Sequence, residues 1–286
     1  MPMNAPIRNI SDTALWVAMY RALESGRPDA LFHDPYACRL AGERGEAILR
    51  SMPRGRALAW PMIVRTAVMD EIIARCVREG AKTVFNLAAG LDARAFRIEL
   101  PPSLCWFDVD LPDMIQYRRE HLEGAKPVCV HEHLAADLSD AGERGRIFAR
   151  KAAGDGPALV ITEGLLIYLT DAQVSALAQQ LHETGNLRWW LIDLASPQLL
   201  QRMSKTWQPH LAAGNAPMQF APPDGTAFFA PFGWRVAEFR SVWEESLRLG
   251  RSVPLAKLWN LLLRLRSKPG RESVRRMSSI VLLERT

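Results

Sequence analysis

Gly90 and Asp110 stand 20 positions apart, Gly90 within the small-residue turn Ala88-Ala89-Gly90-Leu91-Asp92-Ala93 and Asp110 closing the run Asp108-Val109-Asp110. At that spacing an acid at the end of one strand can accept both ribose hydroxyls of a nucleotide lying over the turn that follows the preceding strand. An adenosine-containing cofactor is therefore expected. The turn lacks the three glycines that let a backbone approach a pyrophosphate, and Asp92 would repel one, which disfavours NAD and FAD. S-adenosylmethionine carries no phosphate, so one unhindered glycine can suffice for a turn that passes closely under its methionyl part. The same residues also fit a plain strand-to-helix turn followed by a solvated acidic strand end.

No other chemical group forms a comparable set. The six histidines, His33, His121, His131, His133, His182 and His210, include none that a motif places as a general base. His131 and His133 share a strand face by spacing, but without a third ligand no metal is expected. Cys38, Cys76, Cys105 and Cys129 are scattered, without C-x-x-C or Cys/His spacing, as for reduced, mostly buried thiols. The net charge is +5, yet the arginines are spread along the chain and only Arg264 to Arg276 forms a basic cluster. Aromatic interleaving is missing there, so a solvated face is the preferred reading and no nucleic-acid partner is expected. The longest apolar runs, such as Ala158 to Ile161 and Leu258 to Leu263, fall short of the ~20 residues that span a bilayer. Met1 to Ile10 shows no apolar segment with a small-residue cleavage site. No membrane partner and a cytoplasmic location are the corresponding expectations.

The elements that must position Gly90 and Asp110 follow from periodicity. Up to about Arg65 the chain is helical, with Ala14, Leu15, Ala18, Met19 and Ala22 at a 3.6-residue period and a second helix starting at Asp34-Pro35. From Thr66 strands and helices alternate: a helix over Ala67 to Glu79 stopping at Gly80, then a buried strand Thr83 to Leu87. Further strands are expected at Cys105 to Val109, Pro127 to His133, Ala158 to Thr162 and Trp189 to Leu194. Among the helices between them, Asp171 to His182 begins at a Thr170-x-x-Gln173 capping box. Such alternation implies an α/β fold with a doubly wound, mostly parallel sheet that binds ligands beyond the carboxyl ends of its strands. The apolar runs Trp234 to Val242 and Ser279 to Leu283 are expected to pair as an antiparallel C-terminal edge. With 286 residues, 48% of them hydrophobic, one domain is predicted: a helical cap over 1–65, a cofactor-binding core over 66–195, a lid over 196–230 and edge strands over 231–286. The lid rests on Gln198 to Phe229, a Pro- and Gly-punctuated stretch too long for a passive loop.

Several ordered motifs resemble those of the leucine carboxyl methyltransferases and related bacterial polyketide carboxyl O-methyltransferases. They are Arg65-Thr66 with Asp70, Asn86 to Arg94, Phe107-Asp108-Val109-Asp110-Leu111-Pro112, Asp137-Leu138 and Glu163-Gly164-Leu165-Leu166-Ile167-Tyr168-Leu169. Outlying matches run from Ser11-Asp12-Thr13-Ala14, through Arg21 to Ser25 and Asp34 to Ala37, to Phe232-Gly233-Trp234. The resemblance implies a Rossmann-like methyltransferase fold with S-adenosylmethionine as cofactor. It gives Arg65 the methionyl carboxylate, which suits a planar guanidinium fork, and Asp110 the ribose. It gives Asp137 the exocyclic amine of adenine and Leu138 the ring; the alternative for Asp137 is an acid at a helix start. Glu163 is implied near the methionyl ammonium or the substrate, while Tyr168, otherwise a packed core tyrosine, is placed on the substrate side. The usual turn L-G-A-G-x-D-T-R is altered by Ala88 and Ala93 here, and Ala88 is compatible with the turn if its φ is negative.

The resulting expectation is an S-adenosylmethionine-dependent O-methyltransferase acting on a carboxylate or phenolic oxygen of a small metabolite. An ionised carboxylate needs no general base, whereas a phenol with pKa near ~10 does. The alternatives are a regulatory protein that binds the cofactor without turnover and an NAD-dependent oxidoreductase.

Overall fold

Two five-residue strands, β1 (Thr83–Leu87) and β4 (Ala158–Thr162), are buried at every position in the computed structural model, as strands covered on both faces must be. Around them runs one seven-stranded sheet in the order β3-β2-β1-β4-β5-β7-β6. β2 (Cys105–Asp110), β3 (Val130–Ala135) and β5 (Leu187–Ala195) are parallel to this pair. β7 (Ser278–Arg285) enters antiparallel beside β5, and β6 (Trp234–Ser241) closes the edge antiparallel to β7, so the two C-terminal apolar runs pair as expected. The strand order reverses between β1 and β4, which opens a crevice beyond their carboxyl ends.

The structure describes residues 10–52, 55, 59–152, 156–211, 217–265 and 267–286. Residues 1–9, which carry most of the reading against a secretion signal, and 212–216, inside the predicted lid, lie outside them. Among the described residues no helix is long and apolar enough to cross a membrane.

Strand alternation divides the core into two layers. Val84, Trp106, Ile161, Leu191 and Leu282 face a cluster that includes Val64, Val68 and Ile72 of α3 (Trp60–Arg78), together with Leu15 and Leu40 of α1 (Ile10–Ser25) and α2 (Ala37–Ser51). Their strand neighbours Phe85, Phe107, Val160, Trp190 and Val281 face Val174, Leu177 and Leu181 of α7 (Asp171–Glu183). The Thr170–Gln173 capping box at the start of α7 is formed. α3 begins earlier than its periodicity suggested, because Pro61 suits the first helical turn, and it runs unbroken through residues 65 and 66. β3 lies three residues beyond the predicted start of its strand.

The remaining helices are α4 (Arg94–Arg97), α5 (Pro112–His121), α6 (Ala141–Ala152), α8 (Pro197–Leu211), α9 (Val242–Arg248), α10 (Ala256–Arg264) and α11 (Lys268–Arg275). α8 gives helical structure to the first part of the Gln198 to Phe229 stretch, for which the sequence pattern indicated no helix. The Ser196 hydroxyl accepts from the Leu199 amide at 3.2 Å and Pro197 takes the first helical position, so this dipeptide starts a helix instead of breaking one. A 3₁₀ segment, Gly225–Phe232, leads into β6.

Candidate active site

The carboxyl ends of β1, β2, β4 and β5 open into a cleft of about 1220 Å³, above the ~300–1,000 Å³ of a pocket for one drug-sized ligand. Its floor is the turn after β1. Gly90 donates its amide to Asp110 Oδ2 at 2.7 Å, and Leu111 donates to Oδ1 at 2.8 Å. Arg118 of α5 donates to the Gly90 carbonyl at 2.8 Å and to Asp108, which clamps the turn to β2. Gly90 has φ of +50°, and a Cβ there would meet that of Ala14 at 3.1 Å, so glycine lets α1 close over the turn. Burial pushes the Asp110 carboxyl up, against the two amide bonds that lower it. A carboxylate accepts up to about four hydrogen bonds, which leaves Asp110 room for a diol.

Ala88 does not meet its condition: its φ is +52°, in the left-handed region. The methyl group stands where the family pattern has glycine, and an L-residue in that region costs roughly 1–2 kcal/mol. Ala88→Gly is therefore expected to stabilise the fold by about 1 kcal/mol after allowing for glycine's greater freedom when unfolded. The urea midpoint should rise without a change in slope. An unchanged or lower midpoint would mean that the turn relaxes around alanine at no cost.

Behind the turn lies a chain of buried ion pairs. Glu163, just past β4, sits 2.9 Å from Arg65 and 2.6 Å from Arg94. Arg94 also donates to Asp70 at 2.6 Å and Asp92 at 2.8 Å, and Arg97 donates to Asp70 at 2.7 Å. On the other side Arg65 donates to Asp193 at the end of β5 at 2.9 Å, and the second oxygen of Asp193 accepts from the Gly164 amide at 2.7 Å. Gly164 has φ of +66°, and a Cβ there would stand 3.3 Å from the Arg65 guanidinium. Burial pushes the Glu163 carboxyl up, but Arg94 and Arg65 outweigh it and hold it at about 2. Arg65, Arg94, Glu163 and Asp193 all line the cleft, so its inner end carries fixed charges of both signs.

Asp137 and Leu138 line the cleft beyond β3, Asp137 exposed and Leu138 half-buried. The helix-start role open to Asp137 falls to Asp140, whose Oδ1 accepts from the Gly142 and Glu143 amides at 2.7 and 2.9 Å. Tyr168 lines the cleft as well; burial raises its pKa and its hydroxyl bonds Thr13, so it is a neutral group. All eight residues singled out from the sequence thus border one cavity: Arg65, Ala88, Gly90, Asp110, Asp137, Leu138, Glu163 and Tyr168.

Sequence reasoning missed four members of the ion-pair chain, Asp70, Arg94, Arg97 and Asp193. Asp70 and Arg94 stood inside the quoted motifs without a role, and their pairing across 24 positions has no local signature. Asp193 was detectable only as an acid at a strand's carboxyl end. His131 and His133 do acquire a third neighbour, since ligand-capable atoms of Asp108, His131 and His133 lie within 4.8 Å of one another. The Asp108 oxygens already accept from Asn86, Trp106 and Arg118 and contact His131 at 2.8 Å, and Arg118 sets a positive charge where a cation would go. The cluster is a buried anchor for β2 and α5.

Fold and cleft together define a Rossmann-like architecture whose cleft lies at the carboxyl ends of β1, β2, β4 and β5. The donor set fits S-adenosylmethionine: an acid open to a diol, a tight small-residue turn, and fixed charges of both signs for an amino-acid end. The profile of the leucine carboxyl methyltransferase family matches residues 14–182. An inferred S-adenosyl-L-methionine-dependent methyltransferase of Streptomyces coelicolor is 32% identical over 259 residues, covering 84% of this chain and 88% of its own. Another from Mycobacterium sp. strain KMS is 30% identical over 276 residues, with coverages of 86% and 89%. Among solved structures, a Thermobifida fusca protein described as a methyltransferase by inference superposes with a TM-score of 0.60 at 15% identity, over 99% of this chain and 97% of its own. A Streptomyces avermitilis protein of the DUF574 family gives 0.59 at 14% identity, over 94% and 97%. The two superpositions speak for the fold alone.

The chain belongs to the leucine carboxyl methyltransferase family. It is an S-adenosylmethionine-dependent methyltransferase.

Proposed function

We propose that this enzyme methylates a carboxylate oxygen of a small molecule. The observation that carries the reading is the make-up of the cleft: no histidine lines it among the described side chains, and Glu163 is held ionised and weakly basic by Arg94 and Arg65. An acceptor that must lose a proton would find a poor base there, whereas a carboxylate with pKa near ~4 arrives ionised. Arg202 of α8 lines the cleft and adds positive charge for such an anion. The family's description, leucine carboxyl methyltransferase, points the same way.

S-adenosylmethionine, when bound, supplies an electrophilic methyl group for in-line displacement by the acceptor oxygen. The protein's part is to hold both reactants in line and exclude water. In this reading Asp110 accepts the ribose hydroxyls, Ala88 and Gly90 pass beneath the methionyl part, Asp137 and Leu138 hold adenine, and Arg65 and Glu163 bind the amino-acid end. Tyr168 contacts the acceptor, and the described parts of the segment after β5 act as a lid, with Leu199, Arg202, Met203 and Met218 contributing to the cavity wall.

The test is transfer of a radiolabelled methyl group to a panel of aliphatic and aromatic acids and phenols, followed by mild base. Methyl esters release labelled methanol; aryl ethers do not. Turnover of acids at a rate flat between pH 6 and 8, with base-labile label, is expected. Base-stable label on phenols, at a rate rising with pH, would reject the carboxylate in favour of the phenolic oxygen.

A further inference from the structure

α10 presents its apolar side to solvent. Leu255, Leu258, Trp259, Leu261, Leu262 and Leu265 are 47 to 83% exposed, while Ala256 is buried beneath them. Positions 255, 258, 259, 262 and 265 recur at the helical period, so the stripe is continuous and outward-facing. A helix packed on its own core would be turned the other way. Between Ala256 and Arg276 the chain also carries seven Lys or Arg residues against one acid, Glu272. Lys257, Lys268, Arg271, Arg275 and Arg276 are exposed beside the stripe. This is the basic cluster that the cofactor site leaves unused.

We infer that the α10–α11 surface docks onto an anionic lipid bilayer, with the leucines and Trp259 in the interface and the cations against the headgroups. An exposed apolar helical face with tryptophan and leucine, flanked by lysine and arginine, is the signature of a helix lying in the plane of a membrane surface. Charge decides between this occupant and a second copy of the chain. A two-fold dimer sets the same patch against itself, which would oppose two strongly basic segments, whereas anionic headgroups complement them. Such docking requires no spanning segment. Trp259 and Leu263 of α10 also border the cleft, beside Val253, Val274 and Met277, so a docked enzyme would hold its apolar rim at the lipid surface. The docking itself does not depend on which oxygen is methylated.

Flotation of the full-length protein with phosphatidylcholine vesicles, and with vesicles containing phosphatidylglycerol, tests the inference. Binding to the anionic vesicles, at least tenfold tighter than to neutral ones and weakened by salt, is expected. Leu258→Glu/Leu262→Glu should lower it by at least about tenfold, and Lys257→Glu/Lys268→Glu should lower it and flatten its salt dependence. These side chains are exposed, so circular dichroism and S-adenosylmethionine affinity should match the wild type. Failure to float with anionic vesicles would overturn the inference, as would undiminished flotation of the leucine variant. It would equally be overturned by a wild-type dimer in sedimentation that the leucine variant converts to monomer, because a second copy would then cover the stripe.

Discussion

Asp110→Ala is expected to weaken S-adenosylmethionine binding by about 100-fold or more, measured by calorimetric titration. The carboxylate ends β2 beside the turn, its two oxygens fixed by the amides of Gly90 and Leu111, and its burial leaves little water to replace a lost partner. Two hydrogen bonds from ribose hydroxyls to a charged acceptor contribute about 1.5–3 kcal/mol each, and ~3 kcal/mol corresponds to a little more than two decades in affinity. Asp110→Asn keeps one acceptor oxygen and should fall between the two. Asp137→Ala supplies the contrast: its side chain is exposed, so its contact with adenine competes with water and the loss should stay near tenfold or below. Affinity within threefold of wild type in Asp110→Ala would remove Asp110 from the ribose. Equal losses at 110 and 137 would point to a general disturbance of the cleft.

Legibility differed between the local and the distant. The strands below the cleft were readable because burial on both faces makes them mostly apolar, as in Ala158 to Thr162, and because Gly90 and Asp110 keep a spacing dictated by one strand-helix-strand unit. α7 was readable from its capping box, whose partners are three residues apart. α8 was not, because Ser196-Pro197 can either stop a helix or start one, and only the side-chain bond to the Leu199 amide separates the two. The left-handed φ of Ala88 was hidden for a similar reason, since alanine says nothing of a turn that glycine would have announced. The eight residues named from motifs all reached the cleft, yet their support did not follow from them. Arg94 meets Asp70 and Glu163, and Arg65 meets Asp193, only after the sheet has assembled.

That assembly is why Arg94→Met should be strongly destabilising. Arg94 is 2% exposed and contacts Asp70, Asp92 and Glu163 at once. Methionine keeps most of the length of the side chain but strands buried carboxylates, and breaking a buried pair on one side costs about 3–5 kcal/mol. Arg97 still reaches Asp70 and Arg65 still reaches Glu163, which places the expectation toward the lower end. The loss must also depend on pH. Glu163 is held at about 2 against an ordinary 4.5, so its ionised form stabilises the wild type fully above 4.5, and that contribution fades as pH falls toward 2. Without Arg94 the carboxyl loses its largest counter-charge and takes up a proton at higher pH. The gap between wild type and variant in urea denaturation should therefore be widest near neutrality and narrow below about pH 4.5. A gap that stayed constant down to the acid limit would assign the loss to packing around the guanidinium, and the ion-pair chain would then be a consequence of the fold and contribute little to holding β4 and β5 around the cleft.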